Sequence, residues 1–380
     1  MRKSDVTIIG GGLAGLISSI QLAKKGLSVH LFEKKSYPFH RVCGEYVSRE
    51  VLGYLYELGI DLKSYYPAEI NRLLLTTKAG KQSVVSLPLG GVGISRYLLD
   101  FELYKRALEV GVEVFEQTAI SEVSFDGFRF NLLTSAQERF HSRMVIGAHG
   151  KRSQIDRVLK RKFFAERSGF LGIKYHREGS FPPDVIALHI FPKGYCGISQ
   201  IEEGKINMCY LVEGSVLKEH GSIEAVEAHL LKANKELEEF MHCSRSLYSR
   251  PLVISNVSFS NKPPVEQHIL MVGDAAGLIS PLCGNGMAMA IHSAKLASDC
   301  TIAFLEGKLN RKETEEAYTS LWKQQFSQRI RVGRALQRAF LSPTWSRATV
   351  PLLASFPRLG TQVIRKTHGS SIPFNTSLSL

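Results

Sequence analysis

The sequence predicts an α/β protein. A dinucleotide-binding domain built on a parallel sheet carries an inserted mixed β-sheet domain and ends in a helical tail. Three observations predict this: a strand–glycine turn–helix–strand unit opens the chain, alternating strand-like runs fill its middle, and a basic helical pattern closes it. A length of 380 residues suits about two domains, or one large domain with an insertion.

The opening unit comes first. Residues 5–10, DVTIIG, read as a buried strand, and GGGLAG then places Gly10, Gly12 and Gly15 in the GxGxxG register. LISSIQLAKKG carries Leu16, Ile17, Ile20 and Leu22 at helical spacing and stops at Gly26, and LSVHLFE is a second strand closing on Glu33. This is a βαβ unit of about 30 residues with an acid about 20 residues after the glycines, the Rossmann-like arrangement for a dinucleotide. The glycines let backbone N–H groups approach a pyrophosphate, and the helix N-terminus stabilises its charge. Glu33 can accept from both hydroxyls of an adenosine ribose.

The middle of the chain supplies the inserted sheet. Residues 70–92 contain the runs RLLLTTKAG and SVVSLPLGG. Residues 166–258 add FLGIKYHRE, DVIALHIFPKG, YCGISQIEEG, KINMCYLVEG and RPLVISNVSF, and the breaks at PKG and EEGK mark hairpins. SIEAVEAHLLKANKELEEFM reads as one amphipathic, acidic helix. The expected domains are a discontinuous dinucleotide domain (1–69, 93–165 and 259–308), an inserted substrate domain (70–92 and 166–258) and a basic helical region (309–380). The substrate is expected where the inserted sheet faces the cofactor, since ligand sites favour domain interfaces.

The tail closes the chain. A helical wheel from Tyr318 collects Trp322, Phe326, Ile330, Val332, Leu336 and Phe340 on one side, with Lys323, Arg331, Arg334 and Arg338 opposite, and Arg329 breaks the pattern. SPTWSRATVPLLASFPRLGTQVIRK follows, interrupted by Pro343, Pro351 and Pro357. Either the apolar face packs on the dinucleotide domain, or the tail lies in a membrane interface as a basic amphipathic segment.

Charge and cysteine usage narrow the partners. The net charge is +13, and no Asp or Glu follows Glu316. No nucleic-acid motif accompanies the basic tail, so no nucleic-acid partner is expected. The six cysteines are scattered without a CxxC pair, which argues against a disulfide scaffold and against a zinc site. No metal is expected, and a cytoplasmic setting is the default, with any peripheral contact at the inner membrane surface. MRKSDVTIIGGG has too short an apolar run for a secretory signal, and no stretch of about 18 apolar residues offers a spanning helix.

Two further motifs complete a set: SRMVIGAHGKRS at 142–153 and ILMVGDAAGLIS at 269–280. Together with the first, and in this order, they resemble the three fingerprints of the FAD-dependent family that contains para-hydroxybenzoate hydroxylase, the geranylgeranyl reductases and the flavin halogenases. The resemblance spans roughly residues 5–300 and implies a Rossmann-like FAD-binding domain with an inserted substrate domain. It implies that Gly10, Gly12, Leu13, Ala14, Gly15, Glu33 and Lys34 hold the ADP half. Gly273 and Asp274 of GDAAG would meet the ribityl chain, and Pro281, Gly284, Asn285, Gly286 and Met287 would reach the ring. SRYLLDFELYKRALEVG resembles the family's R…L…A…G segment, with Arg96 approaching the cofactor. Gly150 closes the middle motif, normally GADG, in which His149 takes the Asp position.

RVCGE, Arg41 to Glu45, resembles the CxG loop of geranylgeranyl reductases and also the GES of halogenases, and adds Arg41, Cys43 and Gly44 to the cofactor set. The tryptophan and proline signature of halogenases is missing, and FPKGYCGISQIEEGKINMCYLV has Tyr195 and Cys196 but no tryptophan. Cys43 is the candidate catalytic residue, shaping or protonating the substrate beside the flavin; Cys43 and Cys283 also read as buried small hydrophobes. In PLCGNGM, Gly284 and Gly286 would let the ring approach the backbone, and a helix starting near Asn285 would stabilise the negative charge of reduced flavin.

The resulting expectation is an FAD-dependent oxidoreductase of the geranylgeranyl reductase-like branch. Flavin, reduced by NADH, NADPH or another donor, would pass hydride to a double bond of an apolar, isoprenoid-like substrate. No second GxGxxG is present, so a nicotinamide would visit transiently. The alternative is a monooxygenase acting on an aromatic or polyketide-like substrate, and halogenation or a non-catalytic flavoprotein rank below both. The oligomeric state is left open.

Overall fold

The computed structural model describes residues 2–77, 80–165, 169–257, 259–342 and 357–372. Its first sheet is ordered Val265–Glu266, Ile269–Met271, Arg139–Gly147, Arg2–Ile9, Val29–Phe32, Glu113–Phe115. The strands from Ile269–Met271 to Glu113–Phe115 run parallel. Strands buried on both faces read as continuous apolar runs, and Val6, Ile8 and Leu31 are fully buried here. Ile9 lies level with Phe32 and with Gly147, so Gly10, Glu33 and Ala148 leave the sheet at one edge. That carboxyl edge is where open α/β sheets bind ligands.

A meander of Ile120–Phe125 and Phe130–Thr134 joins Arg139–Gly147 in antiparallel register, an extension that the motif reading did not anticipate. The second sheet is ordered Arg245–Ser246, Phe170–Glu178, Ile206–Glu213, Gly194–Gln200, Val185–Phe191, Ala68–Thr77, Gln82–Gly93, Tyr46–Ser48, with Leu252–Val257 also on Phe170–Glu178. Its two faces separate by side-chain alternation. Ile173, Cys196, Ile198, Met208 and Tyr210 pack outward beneath the helices of 214–243. Leu75, Leu188, Tyr195 and Leu211 face inward against Leu278, Leu282 and Phe340. Tyr46–Ser48, from the segment assigned by sequence to the first domain, is thus hydrogen-bonded into the second sheet.

The acidic helix expected over 222–241 is two helices, Ile223–Ala233 and Lys235–Cys243. Asn234 breaks it with extended backbone: its side-chain oxygen accepts the Leu237 N–H at 3.1 Å, capping the second helix, and its amide donates to Thr76 Oγ1 at 2.8 Å.

The tail forms the helix Arg311–Leu341, started by an Asn310–Glu313 capping box. Its apolar face is inside, with Tyr318, Trp322, Phe326 and Ile330 in the main core beside the helix Gly286–Leu305. Arg329, which breaks the wheel, is buried and pairs with buried Glu50 at 3.5 Å. A last helix, Pro357–Thr367, follows, while Pro343, Trp345 and Pro351 of the expected tail lie outside the described residues. No helix among the described residues is long and apolar enough to cross a membrane.

Candidate cofactor and active site

The helix Leu13–Ala23 starts at the carboxyl edge of the first sheet. Gly12 is its N-cap, no side chain caps it, and no acid lies in its first turn. Its free N–H groups and positive dipole end are therefore open to an anion. The turn requires its glycines: Gly10 has φ +107°, and a Cβ there would meet the Ala148 carbonyl oxygen at 2.5 Å. A Cβ on Gly15 would overlap the carbonyl oxygen of Gly10.

Two arginines converge above this turn. The Cζ of Arg41 and the Nη2 of Arg96 each lie 3.9 Å from where a Gly12 Cβ would sit. Both are held by Asp100, through Arg41 Nε at 2.9 Å and a bidentate Arg96 contact at 2.7 Å. Burial alone would lower the Arg96 pKa, but the charge and hydrogen bonds of Asp100 outweigh it, and Cys43 adds a contact of the same sign. Glu33 is buried; its carboxylate accepts the Gly11 N–H at 3.0 Å, the Lys35 N–H at 3.1 Å and Arg41 at 3.2 Å. Tyr37 closes the turn by donating to the Gly11 carbonyl. Lys34 is exposed.

The second and third motifs meet behind this cleft. The side chain of His149 turns inward and sits 3.1 Å from Asp156, which also accepts Arg161 at 3.0 Å. Burial pushes the Asp156 pKa up, but bonds from His149 and Ser153 and the charge of Arg161 hold it below the usual range. A buried carboxylate thus faces His149 from seven residues later in the chain. Arg161 goes on to the Ala275 carbonyl at 2.9 Å. Lys262, buried and lowered by that burial to about 8, donates to the carbonyls of Lys151 at 2.7 Å and Asp274 at 2.8 Å. Gly150 has open space above it, and Gly273 lies within 3.3 Å of the Ala14 methyl by its would-be Cβ, so Asp274 is brought to the first motif.

The helix Gly286–Leu305 begins at Asn285, again without a side-chain cap. A Gly286 Cβ would find nothing nearer than Ile279 at 4.0 Å, so the helix end is approachable. Met287 is buried, Pro281 is exposed, and Gly284 holds a φ of +67°. The Asn285 side chain is fully buried and its amide N–H donates to the Thr367 carbonyl at 2.9 Å, so it holds the tail. Cys43 is half-buried and its sulfur accepts the Glu45 N–H at 3.5 Å, whereas Gly44 is exposed. Cys283 is buried, and burial pushes its thiol up to about 12, so it stays neutral.

Beside Leu282–Gly284 opens a cavity of about 210 Å³. Leu75 and Leu188 of the second sheet, Cys283, Phe340 and Ile364 form its walls, and none of its described lining residues is Asp, Glu, Lys or Arg.

Sequence reasoning missed Tyr37, Asp100, Asp156, Arg161 and Lys262. Asp100 was recoverable, because it stands four residues after Arg96 on one helix, the spacing of an ion pair. Asp156 and Arg161 pair with each other only five residues apart but off the helical spacing, and the contacts of Arg161 with Ala275, of Lys262 with Lys151 and of Tyr37 with Gly11 cross sequence separations that no local pattern reveals.

An uncapped helix end over glycines, two arginines, a buried acid at the next strand end and a second approachable helix end make a fit cradle for a dinucleotide with a ring system. The fold and cradle define a two-sheet flavoprotein of the α/β class. Residues 3–320 match the family model described as FAD binding domain, and the chain belongs to that family. It is an FAD-dependent oxidoreductase of the superfamily that its motifs resemble. Digeranylgeranylglycerophospholipid reductase 2 of Methanopyrus kandleri is 25% identical over 356 residues, covering 88% of this chain and 86% of that protein. A geranylgeranyl bacteriochlorophyll reductase-like structure from Thermoplasma acidophilum superposes with a TM-score of 0.78 at 20% identity, covering 97% and 96% of the two chains. A flavin-dependent brominase superposes with a TM-score of 0.80 at 19% identity, covering 96% and 93%. At these identities the two structures share the fold.

Proposed function

We propose that the chain reduces a double bond of an apolar, isoprenoid-like substrate, with NADH or NADPH as the donor. The observation that carries this reading is the uncharged cavity beside Leu282–Gly284, bounded by the inner face of the second sheet and by the last helix. A site without fixed charges favours a hydrocarbon chain, whose burial is worth about 25 cal/mol per Å². The similarity to a digeranylgeranylglycerophospholipid reductase supports the same choice.

FAD, when bound, supplies hydride transfer. Gly12, Leu13 and Ala14 would hold the pyrophosphate with Arg41 and Arg96, and Glu33 would orient the ribose. Gly284 and Gly286 would leave room for the ring, and Asp274 would lie along the ribityl chain. Saturating a double bond also takes a proton, and the half-buried Cys43 beside Arg96 is the candidate to deliver it. The inserted sheet and the last helix would exclude water from the alkyl chain. Exposed Arg358, Arg365 and Lys366 on that helix support peripheral contact with an anionic membrane surface, from which such a substrate would be drawn.

The test is anaerobic turnover. FAD-loaded protein with NADH or NADPH and a polyprenyl lipid should yield a product heavier by one pair of hydrogens per reduced bond. A product that forms only in air and carries a new oxygen atom would establish the monooxygenase instead.

A further inference from the structure

Glu45 is fully buried, stands at the inner end of the RVCGE loop and has a left-handed backbone, φ +54°, which side-chain-bearing residues rarely adopt. One carboxylate oxygen accepts the Arg96 N–H at 2.7 Å and the ammonium of Lys174 at 2.5 Å. The other lies 2.7 Å from Nε2 of His176. Lys174 is itself fully buried, and its second bond goes to the carbonyl of Arg41 at 3.1 Å. Lys174 and His176 alternate along Phe170–Glu178, so both side chains leave the second sheet on the same face. Burial would raise the Glu45 pKa, but Lys174 and His176 outweigh it and hold the carboxyl below its usual range.

A buried charge pair is expensive, because two ions leave water for a medium that solvates them poorly. A left-handed residue at the same position adds backbone strain. The arrangement is therefore a poor way to gain stability. What it does is geometric: directly or through Lys174, its bonds reach the main chains of two residues that border the cofactor cleft. The Arg96 main chain is fixed directly, and its guanidinium reaches over Gly12. The Arg41 main chain is fixed through Lys174. Cys43 is two residues away, and the Glu45 N–H points at its sulfur. Two cleft residues from two separate segments, Arg41 and Arg96, thus take their main-chain positions from one carboxylate braced by the inserted sheet, and Cys43 is held by the backbone N–H of the same residue.

We propose that Glu45, clamped by Lys174 and His176, is a positioning residue for the cofactor cleft: it sets Arg41, Cys43 and Arg96 for FAD and so makes FAD binding depend on the inserted sheet.

Two variants test this, each stripped of FAD and then titrated with it. Glu45→Gln keeps the shape and removes the charge. It should bind FAD about tenfold more weakly, in line with the loss of supporting groups around a site, and its Cys43 should be alkylated by iodoacetamide several times faster, read by mass spectrometry. The double variant Glu45→Leu/Lys174→Met replaces both charges by apolar side chains, so it leaves no unpaired buried charge and should melt above Glu45→Leu alone, yet keep the weakened FAD binding. A merely structural pair predicts the opposite, a double variant that recovers FAD affinity together with stability, and that result would overturn the proposal. Unchanged Cys43 alkylation in Glu45→Gln would overturn it as well. Wild-type protein that takes up no FAD would count against the cofactor assignment, not against the role of Glu45.

Discussion

At the scale of single residues, two glycines of similar appearance in the sequence have opposite reasons to be glycine. Gly15 is tied to the fold, because a methyl there would overlap the Gly10 carbonyl oxygen. Gly15→Ala should cost about 1–3 kcal/mol, the usual cost of overpacking, measured by urea denaturation of the protein without cofactor. Gly286 is different, because a side chain there has free space in the protein alone. Gly286→Val should leave that unfolding curve nearly unchanged and weaken FAD binding at least tenfold, as expected when a helix end loses its close approach to a ligand (about 1.4 kcal/mol per tenfold). Normal FAD affinity in Gly286→Val would remove the ring from this helix end. The sequence shows both glycines in motifs, but which one has empty space above it depends on atoms brought there by other segments.

Among elements, the long helix Arg311–Leu341 shows how a basic amphipathic pattern is used. Trp322 is buried on the turn of the third motif, and a Gly277 Cβ would come within 3.0 Å of its ring. Trp322→Ala should destabilise the protein by about 3–5 kcal/mol, as for other large-to-small core changes, read as a lowered melting temperature. A variant with the wild-type melting temperature would show that the helix is only draped on the surface. The period of Tyr318, Trp322 and Phe326 was legible in the sequence, and so was the presence of an apolar face. What covers that face was not: packing and membrane insertion ask for the same pattern, and only the position of Gly286–Leu305 decides between them for this helix.

For the whole molecule, burial of histidines makes stability depend on pH. His189 and His292 are each pushed down to about 4, chiefly by burial. Between about pH 6.5 and 4 the unfolded chain takes up a proton at each of them that the folded chain refuses. Stability from this source is therefore complete above about pH 6.5 and is lost as the pH falls, by up to about 1.4 kcal/mol per pH unit for each histidine. Thermal melts from pH 7.5 to 5 should show the decline, and His189→Gln should flatten it; an unchanged slope in that variant would assign the acid sensitivity to other groups.

The sequence by itself determined the fold class and the cofactor family, because both rest on short-range chemistry. Glycines at GxGxxG spacing, a strand that ends on Glu33 and the GDAAG turn each specify a local conformation that only a few residues control. The tertiary structure alone decided how the cleft is held. Glu45 meets a lysine 129 residues away and Arg161 meets a carbonyl 114 residues away. The apolar cavity takes its walls from the second sheet, the Pro281–Gly284 segment after the third motif, the long helix Arg311–Leu341 and the last helix together. Hydrophobic patterning says that such faces will be buried but not against what, because burial carries no direction. Buried polar groups must find partners wherever the fold places them, and those partners are written in the sequence only as isolated residues.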